Sequence, residues 1–281
     1  MIEQHLIVER TVRMALAEDL GPGDVTTQAV LDDSPRGTAS LMAREPLVLA
    51  GMAVFEATFI MVCPDIRIHT EFTDGALISP GQVVSTLQGP LDAILKGERT
   101  ALNFIQRMSG IATLTRRYVE KVKGTRAKIL DTRKTAPGLR WLDKYAVRTG
   151  GGHNHRFGLF DGVLIKDNHI ASAGSIAQAL ENAKRRIAHT LKIEIEVEDM
   201  AGVKEACGAG ADVILLDNMD PALLKEAVTW INGTALVEAS GGITLDTVKA
   251  VADSGVDMIS IGELTHSAKA SDFTLRIEPL L

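Results

Sequence analysis

Cysteine is scarce in this chain: Cys63 and Cys207 are the only two among 281 residues, and they lie 144 positions apart. No C-x-x-C spacing exists, so neither a zinc knuckle nor a dithiol redox pair is signalled. Two isolated thiols suit a reducing compartment, and a cytoplasmic protein is expected. Positive charge is also in deficit. Lys and Arg number 30 against 36 Asp and Glu, giving a net charge of −6 and a pI near 5.7. That balance argues against a broad nucleic-acid footprint or an anionic-membrane surface, while leaving room for a locally basic pocket. Long apolar runs are missing as well. The most apolar window, Pro46–Cys63, holds Glu56 and opens on turn formers. It predicts a strand followed by an amphipathic helix, because a membrane span needs about 20 apolar residues. The first ten residues, MIEQHLIVER, lack a basic stretch followed by an apolar core, so no signal peptide is expected.

What is present is a globular composition, 46% hydrophobic and 23% charged, on a chain long enough for one large α/β domain and a smaller one. Over residues 7–19, Val8, Val12, Ala15 and Leu16 share one helical face, and GPGD at 21–24 ends that helix. Between residues 37 and 88, GTASLMAREPLVLAG, IRIHTEF and QVVSTLQ have strand character, with TDG and SPG as turns. Pro90 then sits where a helix start tolerates proline. Leu91, Leu95, Leu102 and Ile105 predict the stripe of a helix over 91–108, broken by Ser109–Gly110.

From about residue 125 the rhythm changes. Six short β-rich runs recur: AKILD, DGVLIKD, KIEIEVE, DVILLDN, ALVEAS and MISIGE. Ala- and Leu-rich helical segments, such as residues 175–187 and 221–230, lie between most of them. With Glu196, Leu216, Glu238 and Ser260 as markers, the last spacings are 20, 22 and 22 residues, the length of one compact βα unit. Strand, helix and strand at this repeat predict a parallel sheet covered on both sides. Six or more units favour an α/β barrel over the alternative, a doubly wound open sheet. DFTLRIEPL, alternating Phe273, Leu275 and Ile277, reads as a terminal strand returning to the first domain.

In a parallel α/β barrel the working residues sit at the C-terminal strand ends. Here nearly every strand ends in polar chemistry. ILD runs into Thr132, Arg133 and Lys134; VLI runs into Lys166, Asp167, Asn168 and His169. Glu194, Glu196 and Glu198 share one face of their strand. ILL runs into Asp217 and Asn218, VEA into Ser240, Gly241 and Gly242, and ISI into Gly262 and Glu263. Residues 131–169 hold seven Lys/Arg and four Asp, so an acidic protein concentrates positive charge in one segment. Such a pocket attracts an anion. Arg140, Lys144 and Arg148 instead suit the solvent face of a helix, whereas Arg133, Lys134, Arg156 and Lys166 abut strands.

Three further features bear on chemistry. Gly241, Gly242 and Gly262 follow the last two strands, where backbone N–H groups can surround a phosphate that no Cβ obstructs. Glu196 and Asp217, at neighbouring strand ends, suit Mg²⁺, or the hydroxyls of a sugar, or a salt bridge to Arg133 or Lys166. His153 and His155 form an H-x-H pair after three glycines, in GGGHNHRFGL. The pair is open to metal ligation for hydrolysis, to a donor role beside Arg156, or to a structural one. The glycines are expected to let the backbone approach a pocket closely.

Several of these stretches together resemble the quinolinate phosphoribosyltransferase family. EDLGPGDVTT is similar to its opening motif, and GERTALNFIQRMSGIAT to its long helix. DTRKTAPGLR, GGGHNHRFGLFDGVLIKDNH, EIEVE, LLDN, EASGGI and ISIGELTHS are similar to its barrel motifs, in the family's order. The resemblance implies an N-terminal α/β sandwich over 1–110, an incomplete seven-stranded α/β barrel carrying the catalytic site over 111–266, and a strand over 267–281 returning to the N-terminal domain. It implies quinolinate and phosphoribosyl pyrophosphate as substrates, Mg²⁺ as cofactor, and nicotinate mononucleotide, pyrophosphate and CO₂ as products. It also implies a homodimer, or a higher oligomer, in which Arg99 enters the neighbouring chain's site.

With that resemblance the residues take roles. Arg133, His155, Arg156, Lys166 and the neighbour's Arg99 would hold the dicarboxylate, since guanidinium forks match planar carboxylates. Lys134 would neutralise pyrophosphate. Ser240, Gly241, Gly242 and Gly262 would hold the 5′-phosphate. Glu196, Asp217 and Lys166 would be the catalytic groups, with Glu196 and Asp217 also binding the sugar donor and Mg²⁺. The alternatives are transfer to nicotinate or another heterocyclic acid, a non-catalytic phosphometabolite sensor, and a hydrolase using His153 and His155.

Overall fold

A computed structural model describes residues 2–31 and 35–279. The chain divides into two units, one drawn from residues 1–114, 136–150 and 267–281, the other from residues 115–135 and 151–266.

The first unit opens with helix α1 (Ile2–Leu20), whose Val8, Val12 and Leu16 are buried. GPGD ends α1 and starts the short α2 (Val25–Val30), because the Asp24 carboxylate accepts the N–H groups of Thr26 and Thr27. Strands β1 (Arg36–Ala43) and β2 (Leu47–Val48) precede helix α3 (Met52–Val62). Strands β3 (Arg67–Thr70), β4 (Leu77–Ile78) and β5 (Val83–Pro90) follow. Alternate residues of β1 are buried, Gly37, Ala39, Leu41 and Ala43, as a half-buried strand requires. Asp74 of the TDG turn accepts the N–H groups of Gly51 and Met52, so the predicted turn caps α3.

Helix α4 (Leu91–Lys121) departs from expectation. It runs 31 residues, straight through Ser109 and Gly110. The Ser109 hydroxyl is spent on Ala50, accepting its N–H at 3.0 Å and donating to its carbonyl at 3.2 Å. A Cβ on Gly110 would lie 2.1 Å from the Lys269 carbonyl oxygen. The glycine is there to admit another backbone, not to end the helix. Leu95 is exposed, and the buried stripe is Leu91, Ile94, Ala101, Leu102, Ile105 and Met108.

The barrel unit contains six parallel strands: β6 (Lys128–Leu130), β7 (Val163–Ile165), β8 (Ile193–Val197), β9 (Val213–Asp217), β10 (Leu236–Ser240) and β11 (Met258–Ser260). They are the six runs read from the sequence. Helix α5 (Arg140–Thr149) follows β6 in the chain but belongs to the first unit. Helices α6 (Asp167–Ala173), α7 (Ile176–Arg186), α8 (Met200–Gly208), α9 (Pro221–Ile231) and α10 (Val248–Asp253) connect the later strands, and α11 (Glu263–His266) follows the last. Ser175, Asp199 and Asp220 cap α7, α8 and α9 through their side chains, which fixes each strand-to-helix turn.

The strand order is β7-β8-β9-β10-β11-β6. The last strand therefore pairs with the first, as a closing sheet must. Beyond β6 the seventh position is a single parallel bridge, Leu130 to His153. Six strands and one bridge make an incomplete α/β barrel. Ile193, Ile195, Val197, Ile214, Leu216, Val237 and Ala239 are buried on one strand face, where helices supply Val203, Ala206, Leu224, Ala227 and Val248.

The terminal strand β12 (Phe273–Pro279) pairs antiparallel with β1, Leu41 opposite Leu275 and Ala43 opposite Phe273. It completes a four-stranded sheet, β12-β1-β5-β3. Leu280, the last residue of the run read as this strand, lies outside the described residues. Two charge readings change. Arg140, Lys144 and Arg148 lie in the first unit, so the barrel's cations reduce to Arg133, Lys134, Arg156 and Lys166 from that segment. Lys144 is buried rather than on a solvent face, and its neighbour Asp143 takes a two-pronged bond from Arg107 at 2.8 Å.

Candidate active site

Register determines which side chains meet at the strand ends. Glu196 lies opposite Leu215, Leu215 opposite Glu238, and Asp217 opposite Ser240. Since side chains alternate, Glu194, Glu196, Asp217, Glu238 and Ser240 share the face opposite the helix-covered one. Ile165 pairs with Ile195, so Lys166 is level with Glu196, and the two form an ion pair. Lys166 also opens α6, its N–H donating to His169 Nδ1 at 2.9 Å. Of the three roles open to Glu196, the bond to Lys166 is thus present.

The glycines after β10 are conformationally required. Gly241 has φ +94°, and a Cβ there would sit 2.2 Å from Asn218 Oδ1. Asn218 itself has φ +54°; it donates its N–H to the Ser240 carbonyl at 2.9 Å and its amide to Asp217 at 2.7 Å. Gly242 has φ +57° and open space where a Cβ would project. A Cβ on Gly262 would lie 3.0 Å from Lys134 Cδ and 3.1 Å from the His266 ring. The Thr265 hydroxyl donates to the Lys134 carbonyl at 2.8 Å. Lys134 and Gly262, read separately from sequence, therefore adjoin.

The glycine-histidine stretch is resolved differently from expectation. Gly150 terminates α5 with its N–H on Ala146, and Gly151 takes φ +94°. A Cβ on Gly151 would meet only Val119, at 3.8 Å, an ordinary contact. Backbone conformation, not close approach, calls for glycine there. His153 then enters the bridge to Leu130, its N–H donating to Ile129 at 2.8 Å. Asp131, wholly buried, accepts the His155 N–H at 2.9 Å and the Asn154 amide.

His155 points to a pair of carboxyls that sequence reasoning did not assign to the site. Its Nε2 lies 3.0 Å from Glu194 and 3.6 Å from Glu238. Its Nδ1 accepts the Arg156 N–H at 2.7 Å. With Nδ1 accepting, Nε2 is the nitrogen that donates, and it is aimed at Glu194. His155, Glu194 and Glu238 converge closely enough to hold a metal ion, but His153 is not part of that group, so the two histidines of the H-x-H pair do not meet at one metal. Glu238 is pushed up to about 7, first by burial and then by the neighbouring Glu194, with His155 pulling the other way. One oxygen of each carboxyl, Glu194 Oε1 and Glu238 Oε1, has no hydrogen-bond partner. A proton on Glu238 relieves the repulsion from Glu194. The signal for them was available: strand alternation places Glu194 with Glu196, and Glu238 interrupts an otherwise apolar strand.

Arg156 is half-buried and donates to the Gly162 carbonyl at 3.1 Å. Burial lowers its pKa, and Arg133 lowers it further. Two guanidiniums near enough to repel favour an anion at that place. Arg99 lies exposed on α4, in the first unit. Glu196 and Asp217 offer hard oxygens and no soft donor, bonded to Lys166 and Asn218 respectively, a set that fits Mg²⁺.

Fold and strand ends define an α/β-barrel enzyme with cations set against carboxylates. Two family descriptions match almost the whole chain: quinolinate phosphoribosyl transferase, N-terminal domain, over residues 24–109, and C-terminal domain, over residues 111–276. A probable nicotinate-nucleotide pyrophosphorylase (carboxylating) of Bacillus subtilis is 42% identical over 97% of this chain and 94% of its own. A mitochondrial quinolinate phosphoribosyltransferase (decarboxylating) 2a of Nicotiana tabacum is 42% identical over 95% of this chain and 81% of its own. The solved nicotinate-nucleotide pyrophosphorylase of Ehrlichia chaffeensis superposes with a TM-score of 0.92 at 41% identity, covering 95% of this chain and 97% of that one. The chain belongs to the quinolinate phosphoribosyltransferase family.

Proposed function

We propose that the protein transfers phosphoribosyl from phosphoribosyl pyrophosphate to the ring nitrogen of quinolinate and releases CO₂, giving nicotinate mononucleotide and pyrophosphate for NAD biosynthesis. The observation that carries this reading is the Lys166–Glu196 pair, which joins the cations to the carboxylates on one barrel face. Arg133, Arg156, Lys166 and the His155 loop hold the two carboxylates of the acid. A homodimer adds Arg99 from the second copy. Lys134, against Gly262, faces the pyrophosphate, and Ser240, Gly241, Gly242 and Gly262 take the 5′-phosphate.

The ring nitrogen attacks the anomeric carbon as the bond to pyrophosphate breaks. Positive charge develops on the sugar, and Glu196 and Asp217 stabilise it where it forms. Lys166 keeps Glu196 aimed while contacting the acid. Glu196 and Asp217 would also hold Mg²⁺, which neutralises pyrophosphate charge when bound. Once the nitrogen is quaternary, the adjacent carboxylate leaves as CO₂, because the resulting carbanion lies beside N⁺; that carbon then takes a proton. Cys63 and Cys207 are both unpaired, which supports a reducing, cytoplasmic setting. Among the described residues no helix is long and apolar enough to cross a membrane.

The test is incubation with carboxyl-labelled quinolinate, with and without the sugar donor and Mg²⁺, trapping gas. Labelled CO₂ released only with both is expected. Nucleotide formed from nicotinate instead, without gas, would overturn the assignment.

A further inference from the structure

We propose that Asp131 is a positioning residue: its buried carboxylate fixes the His155–Arg156 segment against the end of β6, from which Arg133 follows, and so sets affinity for the acid substrate. The inference rests on the assignment of Arg133 and Arg156 to that substrate. Asp131 directly follows β6 and is wholly buried. Around it two parallel-ladder bonds are made. The His153 N–H donates to the Ile129 carbonyl at 2.8 Å, and the Asp131 N–H donates to the His153 carbonyl at 3.1 Å. The next bond of such a ladder would run from the His155 N–H to the Asp131 carbonyl. It runs instead to the Asp131 side chain, whose Oδ1 accepts the His155 N–H at 2.9 Å while Oδ2 accepts the Asn154 amide. A side chain thus takes over where main-chain pairing stops.

With the carboxylate as acceptor, both backbones can turn away from the sheet without leaving the His155 N–H unsatisfied. Each then delivers a guanidinium at once: Arg133 two residues after Asp131, Arg156 one residue after His155. Burial, and then Arg133, lower the Arg156 pKa, so the two like charges are close enough to oppose each other. Something must hold the segments together against that repulsion before the ligand arrives, and the Asp131 bonds join them. Without these bonds the acid's own carboxylates would have to draw the cations back and order the loop, which weakens binding. The far end of the β6 loop has separate ties. The Lys134 N–H donates to the Thr132 hydroxyl at 3.0 Å, and the Lys134 carbonyl accepts the Thr265 hydroxyl at 2.8 Å. Lys134, assigned to pyrophosphate, therefore keeps its place when Asp131 is changed.

The experiment is calorimetric titration of Asp131→Ala with quinolinate and, separately, with phosphoribosyl pyrophosphate. Immobilising a freed arginine and its loop on binding predicts a quinolinate Kd raised by about tenfold, with the donor Kd unchanged. Asp131→Asn keeps an oxygen for the His155 N–H, and its amide can meet a reversed Asn154 side chain, so it should bind quinolinate like the parent. Asn154→Ala removes one of the two contacts and should raise quinolinate Kd about threefold; it decides the matter should the alanine variant at 131 not fold. Unchanged quinolinate affinity, or equal weakening of both substrates, overturns the proposal. So does a loss in Asp131→Asn as large as in Asp131→Ala, because the acceptor would then not be what counts. Arg156→Lys separates the two levels. If it weakens quinolinate binding while Asp131→Ala does not, only the anchor fails. If neither weakens it, the acid is not held there, and the assignment fails together with the anchor.

Discussion

Arg156 and Lys carry the same charge, yet only the guanidinium can bond the Gly162 carbonyl and a carboxylate in one plane. Arg156→Lys should therefore raise quinolinate Kd by at least tenfold, the equivalent of about 1.5–3 kcal/mol for one charge-assisted bond. Calorimetry reads it directly, and an unaltered Kd would remove Arg156 from the acid's binding set. Glu238 makes a prediction of a different kind. Its pKa in the fold, about 7, exceeds its ordinary 4.5. Between those values the native chain keeps a proton that the unfolded chain releases. Stability therefore falls as pH rises through that window. Glu238→Gln keeps the shape without the titration. Urea unfolding from pH 4.5 to 7.5 should show the parent losing stability relative to the variant as pH rises; parallel curves would contradict the raised pKa of Glu238.

At the scale of elements, α4 sets two effects of known size against each other. Alanine in a helix interior is favoured over glycine by about 1 kcal/mol. At Gly110, however, the added carbon would meet the Lys269 carbonyl oxygen at 2.1 Å, and overpacking of this kind costs about 1–3 kcal/mol or more. The clash involves two backbones and no flexible side chain, so it should win: Gly110→Ala should lower the denaturation midpoint, and a raised midpoint would refute the packing role. The same residue shows why the sequence misled. Ser109–Gly110 has the composition of a helix end, and only the contacts with Ala50 and Lys269, 59 and 159 residues away, cancel that tendency. The six barrel strands were legible because each is a short apolar run at a regular interval, and a period needs no tertiary information. Cations and carboxylates at strand ends were legible for the same reason. The Glu194–Glu238–His155 cluster was legible only in part: alternation places Glu194 with Glu196, but its meeting with Glu238 and His155 depends on which face of neighbouring strands turns inward at a given register. The placement of α5, whose Lys144 is charged in composition and buried in fact, was not legible.

For the molecule as a whole, the proposed sharing of Arg99 would make activity a property of two copies. Arg99→Ala and Lys166→Ala should each be inactive alone. Mixed in equal amounts and allowed to exchange, half the dimers carry both variants, and each such dimer has one complete site. About a quarter of parental activity should return if the dimer is symmetric, and none should return if each copy supplies its own Arg99. Finally, both sheets join distant stretches of chain. β1 spans Arg36–Ala43 but pairs on one side with Phe273–Pro279, and β6 near residue 129 pairs with β11 near residue 259. A growing chain leaving the ribosome thus holds a half-satisfied strand edge while more than 200 further residues are made. Folding to completion is a late event in synthesis, and until then that edge is an open invitation to a chaperone or to another nascent copy.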